Sequence, residues 1–74
     1  MTGRPVKHSL TLRGHRTSVS LEDEFWQAFR DIAHQRGQPL NALAAEIDAE
    51  RGVDIGLASA IRLFVLRHYR DRVR

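Results

Sequence analysis

From His8 the chain alternates between apolar and polar residues. Leu10 and Leu12 fall on one face, with Ser9, Thr11 and Arg13 on the other. Beyond Gly14-His15 a second alternation sets Thr17, Val19 and Leu21 against Arg16, Ser18 and Ser20. Period-two patterning with β-branched residues predicts half-buried strands near 8–13 and 16–21. Gly14 between them suits a tight turn or a bulge.

The period then changes to that of helices. Glu22, Asp23 and Glu24 place negative charge where a helix N-terminus favours it, and Phe25, Phe29, Ile32 and Ala33 recur at helical spacing. Ser20 with Asp23 offers a capping box, and Glu22 is the alternative cap. Gly37, followed by Gln38-Pro39, ends this helix, predicted over about 22–36. A second helix, about 40–51, presents Leu40, Leu43, Ala44 and Ile47 on one side and Glu46, Asp48 and Glu50 on the other. Gly52 closes it. After a short linker, a third helix over about 57–71 carries a wide stripe of Leu57, Ala60, Ile61, Phe64, Val65 and Tyr69, broadened by Leu63 and Leu66. A stripe this wide serves more than one contact surface. Residues 1–7, with Gly3 and Pro5, read as a flexible basic arm, and 8–74 as a single domain.

Size sharpens this picture. A chain of 74 residues buries only about 60% of its unfolded surface, and small scaffolds rely on disulfides, metals or oligomerisation. Cysteine is absent, which removes disulfides and thiolate zinc sites and fits a reducing compartment. A lone two-stranded ribbon is barely stable and exposes unpaired edges. A second copy is therefore expected, with Val19, Leu21, Phe25, Phe29, Ile32, Leu43, Ile47, Ile61 and Phe64 as the shared dimer core.

The net charge of +3 is modest but unevenly placed. Arg4, Lys7, Arg13 and Arg16 face no acid in residues 1–16, whereas residues 17–61 hold eight acids against three arginines. Arg62, Arg67, Arg70, Arg72 and Arg74 follow, against Asp71. A basic arm suits a polyanion such as DNA, and a merely solvated terminus is the alternative. The C-terminal arginines are expected chiefly to solubilise their helix. No run of about 18 apolar residues predicts a membrane span. The start, MTGRPVKHSLTLRG, lacks the apolar stretch of a signal peptide, so a cytoplasmic protein is expected. His8, His15, His34 and His68 are scattered without metal-ligand spacing, so no metal or other cofactor is expected. No nucleophile motif, phosphate loop or HExxH points to an enzyme. Trp26, about 100° around the helix from Phe25, reads as a packing contact.

The run Thr17-Ser18-Val19-Ser20-Leu21, the acids after it, Phe25, Phe29 and then Arg36-Gly37-Gln38-Pro39-Leu40-Asn41-Ala42-Leu43 resembles the ribbon-helix-helix fold of the Arc and MetJ type over residues 16–51. The whole chain, with its segment Leu12–Glu22 and its helix Ser59–Arg70, is similar to short stand-alone bacterial ribbon-helix-helix proteins. The resemblance implies a mostly α intertwined homodimer with a short β-ribbon, here extended by an N-terminal strand and a C-terminal helix. It also implies a ribbon of one strand per subunit laid in the DNA major groove. By position, Arg16, Ser18 and Ser20 would face the bases, while Thr17, Val19 and Leu21 point into the core. Arginine suits guanine O6 and N7, and serine discriminates weakly. The family's phosphate anchor at the second helix falls on the Leu40 and Asn41 backbone, because Pro39 offers neither a hydroxyl nor an N–H. Lys7 and Arg13 would touch phosphate rather than base. The additional strand either flanks the reading face or covers it.

Two functions follow as expectations. One is a dimeric, sequence-specific DNA-binding transcriptional regulator of repressor-like type. The other is a protein-interaction module on the same dimer scaffold, antitoxin-like proteins included, without base-specific DNA binding.

Overall fold

The computed structural model describes residues 3–73. Strands β1 (Val6–Leu12) and β2 (His15–Leu21) are followed by helices α1 (Asp23–Gln35), α2 (Leu40–Glu50) and α3 (Leu57–Arg72). The expected architecture of a short ribbon and three helices is present. β1 and β2 pair antiparallel with each other, in a register from Val6 opposite Leu21 to Leu12 opposite His15. The ribbon is thus made within one chain.

The loop is Arg13-Gly14, one residue earlier than the alternation suggested. Arg13 has φ 53° and Gly14 φ 85°. Left-handed conformation at both positions is the mirror-image turn whose twist matches that of a hairpin. For Gly14 this is free of steric cost, whereas an L-residue such as Arg13 gives up about 1–2 kcal/mol. The register also corrects the N-terminal boundary. Val6 and Lys7, expected in a flexible arm, are strand residues because Leu21 and Ser20 stand opposite them. The arm's residues 1–2 lie outside the described residues.

The inner face of the ribbon is apolar: Leu10, Leu12, Val19 and Leu21 are buried. Thr17 was expected among them and is instead exposed. It shares the inner face by alternation but stands near the turn, over an open groove lined by Leu12, Ala45, Asp48 and Leu57. Position on a face is not the same as cover.

α1 starts without a capping box. Glu22 is its N-cap residue but makes no side-chain cap bond. The helix ends as expected around Gly37 (φ 67°), where Gln38 N–H donates to Ala33 O and Gly37 N–H to His34 O, each at 3.0 Å. This double closure lets the chain reverse within a few residues into α2. α2 packs chiefly against β1 and α3, and α3 also against α1 and β2. Phe29, Leu21, Ile32, Leu43 and Ile61 are the largest fully enclosed side chains, worth about 1.5–3 kcal/mol each on burial.

Of the residues expected in a dimer core, Val19, Leu21, Phe29, Ile32, Leu43, Ile47 and Ile61 are buried within this single chain, and Phe25 and Phe64 pack half-buried against them. Enclosing them does not take a second copy. β1 supplies the second strand and α3 the third wall, so one chain closes around its own apolar face.

Candidate nucleic-acid interface

Alternation puts every second side chain of the ribbon on the face away from the helices. On β2 these are Arg16, Ser18 and Ser20, all exposed. Their partners across the ribbon are Thr11, Ser9 and Lys7, exposed as well. β1 therefore lies beside β2 and leaves its outward face open. The result is a small field of hydroxyls with a cation at each end, Arg16 towards the turn and Lys7 at the open end. Arg13 extends it from the turn itself and is also exposed. Ser9 and Thr11 did not figure among the expected site residues. Their alternation was readable, but the register that sets them opposite Ser18 and Arg16 was not.

The two edges of the ribbon differ. In a hairpin with a two-residue loop, the pair next to the loop is hydrogen-bonded, and so is every second pair after it. The N–H and C=O groups of Lys7, Ser9 and Thr11 then point out along the β1 edge, and those of Arg16, Ser18 and Ser20 along the β2 edge. Two side-chain contacts agree with this. Thr11 N–H donates to Asn41 Oδ1 at 3.1 Å, and Arg62 Nη2 donates to Ser20 O at 3.4 Å. The β1 edge is partly covered by the start of α2. On the β2 edge, the main-chain groups of Arg16 and Ser18 have no partner among the described residues.

The start of α2, the expected phosphate anchor, therefore sits beside the ribbon at Thr11. Ala42 and Leu43 N–H both donate to Pro39 O, which leaves the Leu40 and Asn41 N–H groups without a backbone acceptor among the described residues. The first turn of α2 contains no acid, whereas that of α1 holds Asp23 and Glu24. The positive end of α1 is answered by its own carboxylates, and that of α2 stays open to an anion. The Asn41 side chain, however, is committed to Thr11, so only its N–H faces outward duty.

Glu22 turns towards α3. Arg62 Nε donates to Glu22 Oε1 at 2.9 Å, and its guanidinium lies 5.9 Å from the Phe25 ring centroid. That hydrogen bond, more than any other influence, holds the Glu22 carboxyl below the usual carboxylate range. Arg72 is likewise engaged, donating to Gln35 Oε1 at 2.8 Å. Arg67 and Arg70 are exposed, and Arg74 lies outside the described residues. Of the histidines, His8 stacks flat on Trp26, with ring centroids 3.8 Å apart and 4° between planes. Trp26 thereby clamps β1 to α1 and is a packing residue.

The sequence model of the ribbon-helix-helix domain family matches residues 5–69. This chain belongs to that family. The match takes in all of β1 and most of α3, so both are part of this ribbon-helix-helix pattern. Comparison with curated proteins and with solved structures finds no match. No helix among the described residues is long and apolar enough to cross a membrane.

Proposed function

We propose that this ribbon-helix-helix protein is a cytoplasmic, homodimeric DNA-binding regulator of transcription, a binding protein and not an enzyme. The reading is carried by one observation: the outward face of the ribbon is open, with Arg16, Ser18 and Ser20 in line. Dimerisation follows the family pattern, β2 of one copy pairing antiparallel with β2 of another along the edge where the Arg16 and Ser18 main-chain groups have no partner among the described residues. Centred near Ser18, that pairing sets Arg16 beside Ser20 of the other copy and keeps the two arginines apart.

Such a dimer has a four-stranded sheet with the two β2 strands in the middle. Strands lie about 4.8 Å apart, which places each β1 about 7 Å from the two-fold axis. The major groove is about 12 Å wide. The central β2 pair fits it, and the β1 strands fall at its walls, where the phosphates are. Arg16 then reads guanine, Ser18 and Ser20 discriminate weakly, and Lys7, Arg13 and the Leu40 and Asn41 N–H groups hold phosphate.

The test is anisotropy binding to a mixed duplex library over a salt series, followed by sequencing of the retained duplexes. Salt-sensitive affinity with an enriched motif is expected, and Arg16→Ala should lose the motif. No binding at about 50 mM salt overturns the proposal. The second reading, a protein-interaction module, draws on the same open β2 edge, which can accept a foreign strand. Recovery of a stable heterologous complex without DNA affinity would favour it.

A further inference from the structure

We propose that α3 is the clasp of the dimer: its exposed apolar stripe packs on the α3 of the second copy. The proposal rests on the β2-to-β2 pairing above and adds to it a contact that strand pairing alone does not require.

The argument begins with the order of elements. α2 packs under β1, and α3 under β2. If β2 is the strand at the two-fold axis, the helices beneath the sheet run α2, α3, α3, α2 across the dimer. The two α3 helices are neighbours by topology. The face each would turn to the other is marked by Arg62, whose side chain reaches the Ser20 carbonyl on the outer edge of β2. One turn and two turns along the same face come Leu66, 49% exposed, and Tyr69, 36% exposed. Together with Arg70 and Val73 they line a shallow apolar hollow. A strand edge open at Arg16 and Ser18, and bridged to α3 at Ser20 by Arg62, thus adjoins an uncovered apolar helix face.

Size and charge favour a second copy as the occupant. Stable interfaces bury about 1,200–2,000 Å² in total, which a single seven-residue strand edge does not supply. The α3 stripe provides the missing apolar area, as the wide pattern of this helix foreshadowed. Arg62 is already paired with Glu22. Bringing two such faces together therefore does not set a bare Arg62 against its counterpart, as it would if Arg62 stood alone.

The absence of cysteine gives a direct test in the full chain. Single variants Leu66→Cys, Ser18→Cys and Ala49→Cys are treated with a short bismaleimide that spans the roughly 8–10 Å between packed helix axes. Leu66→Cys and Ser18→Cys should yield covalent dimers, and Ala49→Cys, on the outer helix, should not. Leu66→Glu should weaken self-association in sedimentation at least tenfold with an unchanged circular dichroism spectrum. Cross-linking at Ser18 but not at Leu66 overturns the clasp and leaves the strand dimer standing. A wild-type chain that sediments as a monomer, with no cross-link at either site, overturns both. Cross-links at both sites without DNA binding support the clasp and overturn only the proposed function.

Discussion

The two faces of the ribbon share one backbone and one register, yet they do opposite work. Leu10, Leu12, Val19 and Leu21 are enclosed by helices, while their immediate neighbours Ser9, Thr11, Ser18 and Ser20 stand in water. Those four enclosed positions answer to volume and hydrophobicity, and a loss at any of them is felt throughout the fold. The outer face carries no fold-level load, so its residues are free to be chosen for what they touch. Stability and the proposed recognition are interleaved residue by residue, and a substitution declares its side by which of the two it changes.

The sharpest way to break this comparison is to alter adjacent residues. Leu21→Ala should cost about 2–5 kcal/mol in urea unfolding, the range for a fully buried leucine. Ser20→Ala beside it should stay within about 0.5 kcal/mol. An equal loss at both positions would mean that the outer face is covered. Next in size, Arg16→Ala should reduce affinity for a selected DNA site by about 1–3 kcal/mol while leaving the melting temperature unchanged. Lys7→Ala should instead weaken all duplexes alike and lower the salt slope by about 1. Binding titrations across a salt series separate the two.

A third change sharpens the boundary between the faces. Arg13→Asn should stabilise the chain by up to about 1 kcal/mol in thermal melts, since asparagine tolerates the left-handed turn better. The same variant should bind DNA less tightly, so stability and affinity move in opposite directions. The smallest effect concerns Glu22. Its pKa is lowered in the folded chain by Arg62, so the stability it adds is present at neutral pH. That contribution is lost as acid protonates the carboxyl at and below the ordinary glutamate range of about 4.3. Glu22→Gln should flatten that part of a stability-versus-pH curve, and an unchanged acid limb would show the ion pair to be irrelevant.

Much of this was readable in the chain. Leu10 and Leu12, like Val19 and Leu21, declare a buried face because period two admits no other regular structure. Gly37 before Pro39 declares a helix end because few residues adopt the geometry found there. Register was not legible, since Gly14 suits a turn begun at Arg13 as well as one begun at Gly14, and arginine does not advertise a left-handed conformation. Thr17 shows a second limit: alternation assigns a side but not a covering element. The bond from Thr11 to Asn41 joins residues 30 apart, and no local pattern reports it. Above all, an additional strand ahead of the ribbon left open whether it would cover the reading face or lie beside it. Only the pairing of Ser9 with Ser18 decides that, and it opens the face.

The brevity of the Arg13-Gly14 link has a mechanical meaning. It acts as a ruler: with just two residues to span the reversal, Leu12 must meet His15, and every later pairing is counted from there. One residue added at that corner would let β1 slide by a single step, and a slide of one rolls the strand over. Its leucines would then project to the outside and its hydroxyls into oil.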